Sequence, residues 1–275
     1  MIKIKHALTL VLLSLSLAIN PAKADANTGD TLKSIHEMRV LNYAILSDYY
    51  MFSGLEGDTR YSREIDAEIK QFENLLSEAT DGNSPSSKLE QTAALLSSWQ
   101  EYKKLLDVNR TDFLSQGYAN ARLVDELTKG SETVNNNLAQ LYSAVKSDSG
   151  HPVSKNTELT RQMGVIIQAL TAEYAARSTS SLGQVMVIDI NEGGMDKQAD
   201  KFRSLLDELK SSASKDKSIY RDLDQVGVKW EFIAKSISNY NENAVPFVIT
   251  TYGDRIAKDL VSIGDFYAKS LQAKK

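Results

Sequence analysis

The segments MRVLNYAILSDYY, residues 38–50, and MGVIIQALTAEYA, residues 163–175, decide the predicted fold of this chain. Apolar residues recur in both at intervals of three and four, which is the spacing of an α-helix rather than the alternation of a strand. The segments also align with each other at an offset of 125, so that Met38, Val40, Ala44 and Tyr49 fall opposite identical residues. We therefore expect corresponding helices in the two halves of the chain.

The likeness between the halves continues beyond these helices. IDAEIKQFENLLSEA, residues 65–79, matches MDKQADKFRSLLDEL, residues 195–209, and LAQLYSAV, residues 138–145, matches VSIGDFYAKSL, residues 261–271. A repeat of this length indicates an internal duplication. We predict an all-α fold of eight helices, arranged as two tandem antiparallel four-helix bundles over residues 27–148 and 153–273.

Turn-forming residues separate the predicted helices. Glycine or proline marks each expected break, at Gly54 and Gly57, Pro85, Pro152, Gly193 and Pro246. The run QVMVIDI, residues 184–190, resembles a strand, and we interpret it as a helix end or a connector. The sequence leaves open whether the bundles stack end to end or lie side by side, although Gly150 and Pro152 favour a break between them.

The first 24 residues have the pattern of a cleaved signal peptide. Two lysines precede an apolar run from Ala7 to Ile19, and Ala22-Lys23-Ala24 then forms a small-x-small cleavage site. The alternative is an uncleaved anchor, but this run of 13 residues is shorter than the roughly 20 needed to span a bilayer. We expect cleavage after Ala24 and a periplasmic protein.

The composition argues against several classes of function. The chain has no cysteine, which excludes disulfides, thiol catalysis and cysteine zinc sites. Loss of three lysines with the signal lowers the formal charge from −4 to −7, and no basic stripe suggests nucleic-acid binding. Neither His36 nor His151 has metal-binding spacing, and no nucleophile or phosphate-loop motif is present. We predict a protein without catalytic activity, metal or cofactor, with His36 partly exposed on the surface.

The two tryptophans occupy equivalent places in the duplication. Trp99 and Trp230 each lie in the third helix of their half, and Phe72 and Phe202 lie in the second. One interpretation makes these four residues core anchors, with each indole N–H bonded to a facing polar group. The other makes each tryptophan a wall of a ligand pocket. We favour the core interpretation.

The repeated pattern resembles a known family of sensory domains. RVLNYA, residues 39–44, and RQMGVIIQ, residues 161–168, are similar to the Arg-Met-Leu-Ser-Gln stretch that opens the PilJ-like domain. This is the N-terminal periplasmic domain of type IV pilus methyl-accepting chemotaxis transducers, related to the sensor domain of nitrate-responsive histidine kinases. The motifs FENLL and FRSLL, then SSWQEY and VKWEFI, follow in the family's order. The resemblance covers nearly all of the chain after the signal, as two copies.

The resemblance implies an anion site and a dimer. Arg39 falls where the family has an arginine that contributes to anion recognition, so that Arg39, Asn42 and Tyr43 become candidate ligand residues, with Arg161 of the second copy as the fourth. The second copy has Gly164 at that place, with Arg161 one turn earlier, and is expected to have lost the site. The family's sensors work as dimers, so the resemblance also implies a homodimer.

Two functions from different classes follow. The first is a periplasmic sensory-type module that binds a small anion and acts with a membrane sensor or a pilus-related protein. The second is a structural protein of the cell envelope whose helices assemble with themselves or with envelope components. The choice depends on Arg39. Its guanidinium group either binds an anion, forms an ordinary salt bridge with an acid such as Glu37 or Asp125, or is solvated at the surface.

Overall fold

The structure is a computed structural model that describes residues 21–87, 89–179, 194–213, 216–240 and 244–272, with side chains from Asn27 onward. These residues contain eight helices and no strand, which confirms the all-α prediction. The helices are α1 Pro21–Gly54, α2 Thr59–Thr80, α3 Glu90–Gln116, α4 Ala121–Ser149, α5 Lys155–Thr179, α6 Met195–Ser212, α7 Lys217–Ser238 and α8 Pro246–Gln272. The run 184–190 and most of the predicted signal peptide lie outside the described residues.

Local sequence explains where several helices begin and end. Asp58, Asn120 and Asp216 precede α2, α4 and α7, and each side chain accepts a hydrogen bond from a backbone N–H of the first turn. Gly117 and Gly150 follow α3 and α4 in the left-handed conformation, with φ of 78° and 61°. The polar breaks in the sequence therefore set these helix lengths.

Helices α1 and α5 form the centre of the molecule. Every residue of α1 from 40 to 52 is buried, as is every residue of α5 from 163 to 176. The sequence pattern predicted one apolar face on α1, but a helix that is buried all round must contact neighbours on every side. Each of the two central helices does so, because α1 packs against α2, α4, α5 and α8, and α5 packs against α1, α6 and α8.

The two central helices run parallel, and their register is that of the duplication. His36 of α1 contacts Gly164 of α5, and at the other end Gly54 meets Thr179, which is 125 residues later. A Cβ built on Gly54 would overlap the Cβ of Thr179. Equivalent parts of the two halves therefore face each other across this contact, which we call the central seam.

The two halves of the chain lie side by side across the central seam. In the second half, consecutive helices pack against each other and α8 returns to α5, running antiparallel to it. In the first half, α2 and α4 flank α1, and α3 packs on α4. The hydrophobic core is one continuous cluster through both halves. No helix in the described part of the chain combines the length and apolarity that a bilayer crossing requires.

The paired aromatic residues pack in the same way in each half. Trp99 and Trp230 are both 0% exposed. Trp99 stacks on Phe72 with ring centroids 3.7 Å apart, and Trp230 contacts Phe202 at 4.4 Å. Neither indole Nε1 has a hydrogen-bond partner among the described residues, so the expected indole hydrogen bonds are missing. The contribution of both residues to stability therefore comes from packing.

Candidate functional site

His36 is buried at the central seam, contrary to the surface position expected from the sequence. Its residue exposure is 5%, and a Cβ added to Gly164 would lie 3.4 Å from the His36 Cε1 atom. Gly164 has no side chain, so the imidazole can lie directly against the α5 backbone. His36 Nδ1 is buried and has no hydrogen-bond partner among the described residues.

The environment of His36 keeps its imidazole neutral. Burial is the largest effect that lowers its pKa, and the positive charges of Arg161 and Arg39 lower it further, to well below its ordinary value. A neutral imidazole carries one N–H donor and one acceptor nitrogen. The seam therefore holds a polar group that adds no charge between two arginines.

Arg39 and Arg161 come from different helices but act on the same small region. Both lie near enough to His36 to lower its pKa, and both interact with Tyr142 of α4. The repeat alignment had assigned them to separate copies, one functional and one lost. Parallel packing of α1 on α5 instead makes them neighbours of one histidine.

Neither arginine has a carboxylate partner among the described residues. Arg39 is half-buried, and its Nε is buried without a hydrogen bond. Of the two acids considered as its partners, Glu37 lies 3.6 Å from Lys33, and Asp125 lies 2.7 Å from Lys129. Neither of these two acids therefore forms a salt bridge with Arg39. An unpaired, half-buried guanidinium favours a bound anion.

Tyr142 fixes the position of Arg161. The Arg161 Nη1 donates to the Tyr142 hydroxyl at 2.7 Å, and that hydroxyl donates to Glu158 Oε1 at 3.1 Å. Glu158 also accepts from Lys146 at 2.7 Å, so its negative charge is already paired. Burial raises the pKa of Tyr142 to about 12, which keeps the hydroxyl protonated at neutral pH. Arg161 is thus oriented by a neutral hydroxyl group rather than by a carboxylate.

The other two predicted ligand residues, Asn42 and Tyr43, are buried. Asn42 is fully buried, and its Nδ2 donates to the Ser131 backbone oxygen at 2.9 Å and to Ser131 Oγ at 2.8 Å. Asn42 therefore joins α1 to α4. Tyr43 is 5% exposed beside Arg39, and burial raises its pKa to about 12.

A cavity of about 140 Å³ opens beside Arg161, at one end of the seam. Residues near the beginning of α1, from the α4–α5 connection and α5, and near the end of α8 surround it. The charged residues in its wall are Asp30, Lys33, Arg161, Asp265 and Lys269. Of the four predicted ligand residues, Arg161 alone is part of this wall; Arg39, Asn42 and Tyr43 are not.

A smaller gap continues from this cavity toward His36. Its volume is about 10 Å³, close to the space that one water molecule needs. Lys33, Arg161 and Asp265 line both spaces, whereas His36 and Glu37 line only the gap. The three shared residues thus link the wall of the larger cavity to the surroundings of the buried imidazole.

Sequence reasoning missed His36 and the α8 residues of the site. The offset of 125 places His36 opposite Arg161, so the repeat alignment contained a signal for their proximity. No comparable signal identified Asp265 or Lys269, because they reach the cavity only through the packing of α8.

A second polar cluster lies where α1, α2, α5 and α8 meet. It consists of Asp48, which is 7% exposed, with Glu64, Glu68 and Asp254. Asp254 accepts a hydrogen bond from the buried Gln168 at 2.8 Å. Glu68 Oε2 is buried and has no partner among the described residues. We call these four acids the acidic junction.

Arg60 partly compensates the negative charge of the acidic junction. Its Nε donates to Glu64 Oε1 at 3.0 Å, and its effect on Asp48 is smaller than the repulsion from Asp254 and Glu64. Burial, followed by repulsion from Asp254 and Glu64, raises the pKa of Asp48 to about 8. The equivalent residue of the second half, Glu173, is instead paired with Arg177 at 2.8 Å. Asp48 and Glu173 are equivalent in the duplication, but Asp48 has mainly acidic neighbours whereas Glu173 has a basic partner.

The described residues contain no group of three metal-binding side chains close enough to hold an ion. No family model, curated protein or solved structure matches this chain in comparisons with known proteins. The resemblance to the PilJ-like domain therefore rests on the motifs quoted above.

Proposed function

We propose that this protein is a non-catalytic periplasmic binding module of the sensory type, which recognises a small anion at the central seam. One observation carries the proposal. Arg39 and Arg161 lie beside the same buried, neutral His36, and neither is paired with a carboxylate among the described residues. Two guanidinium groups in such a place favour a ligand that supplies the missing negative charge.

The finer organisation belongs to the same proposal. Residues 1–24 act as a cleaved signal peptide, and residues 27–148 and 153–273 are two PilJ-like four-helix bundles. The packing of α1 on α2, of α3 on α4 and of each successive pair from α5 to α8, together with the register of α1 on α5, supports a duplicated bundle. In this proposal a membrane sensor or a pilus-related protein recognises the ligand-bound form. A homodimer stays a prediction.

The experiment is thermal unfolding of the purified protein against nitrate, phosphate, acetate and other small organic anions. A ligand that binds only the folded state stabilises it by about 2.7 kcal/mol at 100 times its Kd. Arg161→Gln and Arg39→Gln should each weaken binding by about tenfold or more, because each removes a charge-assisted contact or a nearby charge.

Arg122→Gln is the matched control. Its side chain is 69% exposed and is paired with Glu126 on the surface, so its removal should leave anion binding unchanged. The proposal fails if none of the anions shifts the unfolding midpoint, or if all three variants weaken binding equally.

One observation favours the alternative, a structural or interaction protein of the envelope. Val228 and Phe232 of α7 are 67% and 61% exposed, whereas Ser97 and Glu101 occupy the equivalent places in α3. Exposed apolar residues of α7 at places that are polar in α3 are consistent with contact to another macromolecule. The structural role is supported if no small molecule binds, if the protein self-associates in sedimentation experiments, and if Phe232→Ser abolishes that self-association.

A further inference from the structure

We propose that the cavity beside Arg161 binds a short α-amino acid as a zwitterion, rather than a simple inorganic anion. This inference rests on the proposed function, because it assigns the carboxylate of the amino acid to Arg161. It adds a second recognition element, a carboxylate wall for the α-ammonium group, and a limit on size.

The positive side of the cavity has free charge. Arg161 donates to the neutral Tyr142 hydroxyl, and Lys269 lies in the last turn of α8. Neither forms an ion pair with a described residue. Arginine presents two parallel N–H groups that match the two oxygens of a carboxylate. The ligand's carboxylate therefore belongs at Arg161, with Lys269 near the opening.

The negative side of the same cavity distinguishes a zwitterion from a simple anion. Asp30 of α1 is exposed at the cavity and pairs with no cation in the described part of the chain. Asp265 of α8 binds Lys33 at 2.6 Å through Oδ2, and its Oδ1 makes no hydrogen bond to a described residue. These carboxylates would repel an anion but would accept hydrogen bonds from an ammonium group.

The cavity volume suits a ligand of about six heavy atoms. A cavity of about 150 Å³ in another protein holds one benzene molecule, which has six heavy atoms. This cavity, at about 140 Å³, is nearly the same size. Alanine also has six heavy atoms. The wall includes Leu32, Val153 and Ala268, which provide apolar contacts for a short side chain.

Three matched probes test the inference by isothermal titration calorimetry. Alanine carries both charges, propionate lacks the ammonium group, and ethylamine lacks the carboxylate. We expect alanine or serine to bind at least tenfold more tightly than propionate, and ethylamine not to bind. Nitrate and acetate should bind no better than propionate.

Two substitutions locate the ammonium site. Asp30→Asn and Asp265→Asn should each lower alanine affinity toward that of propionate and leave propionate affinity unchanged or improved. Asp107→Asn, an exposed aspartate outside the cavity wall, is the control and should change neither affinity. Circular dichroism checks that Asp265→Asn, which also frees Lys33, retains its helical fold.

The outcomes separate this inference from the proposed function. If propionate, acetate or nitrate binds as tightly as alanine, the zwitterion inference is overturned while anion recognition stands. The same holds if alanine binds more tightly but neither aspartate variant reduces its affinity. If no anion and no amino acid binds, both fail.

Discussion

Replacement of Asp48 by asparagine should stabilise this protein at alkaline pH. Asp48 is buried at the acidic junction, and its charged form is disfavoured by burial and by Asp254 and Glu64. Asparagine has nearly the same shape as the protonated acid and never ionises. The substitution therefore removes the cost of burying a charge and keeps most of the packing.

The pKa values define the size and the pH range of the effect. The pKa of Asp48 rises from its ordinary value of 3.8 to about 8 on folding. At about 1.36 kcal/mol for each pKa unit, this difference sets an upper limit of about 6 kcal/mol. Water penetration and local relaxation reduce such penalties in real proteins, so we expect a gain of about 2 kcal/mol for Asp48→Asn.

The sign follows from proton binding. Between pH 4 and pH 8 the folded protein holds a proton on Asp48 that the unfolded chain has released. The free energy of unfolding of the wild type should therefore fall as the pH rises through this range. The penalty is complete above pH 8 and absent below pH 4. Burial also raises the pKa of Glu68, which acts in the same direction.

Urea unfolding of wild type and Asp48→Asn at pH 5, 7 and 9 measures the effect. The gain from Asp48→Asn should grow with pH and be largest at pH 9. Glu173→Gln is the internal comparison, since Glu173 occupies the equivalent place but is paired with Arg177. Its free energy of unfolding should fall by about 3 kcal/mol at pH 7, because the partly buried Arg177, whose side chain is 14% exposed, loses its partner. A gain from Asp48→Asn that does not change with pH, or a loss at pH 9, would refute the reasoning.

Three further substitutions test the packing and the site. Gly54→Ala should lower the free energy of unfolding by about 1–3 kcal/mol, because the new Cβ overlaps Thr179; Gly82→Ala, with open space around it, is the control in the same urea titration. Trp99→Ala should cost about 3–5 kcal/mol by loss of packing, and a urea midpoint close to that of the wild type would contradict this. Tyr142→Phe should cost about 1–2 kcal/mol and weaken anion binding, because Arg161 loses its acceptor; unchanged anion affinity by calorimetry would show that the hydroxyl does not position the arginine.

Helix content and helix order were predictable from the sequence because local chemistry encodes them. The three-and-four spacing of apolar residues and the breaks near Gly57, Pro85, Pro152 and Pro246 gave eight helices in the right order. The same information could not show that α1 is buried on every side. Periodicity reports which residues are apolar, whereas burial depends on how many neighbouring helices pack around them.

The candidate site was predicted only in part, because its residues come together through long-range packing. Arg39 and Arg161 were identified from the sequence as candidate anion ligands, but as members of separate copies. The cavity wall also required Asp265 of α8, which is more than 100 residues from Arg161 in the chain. The buried position of His36 depends on the absence of a side chain at Gly164, which the sequence alone did not connect to it.

The sequence by itself determined the all-α class, the order of the helices and the correspondence between the halves of the chain. These properties depend on residues close to one another in the chain and on the comparison of one half with the other. Only the tertiary structure decided that α1 and α5 pack in parallel and that His36 and two arginines share one seam. It also decided that Glu173 is paired with an arginine, whereas its counterpart Asp48 is not. The physical reason is that protonation, ion pairing and cavities depend on the complete surroundings of a side chain, which form only when distant helices pack together.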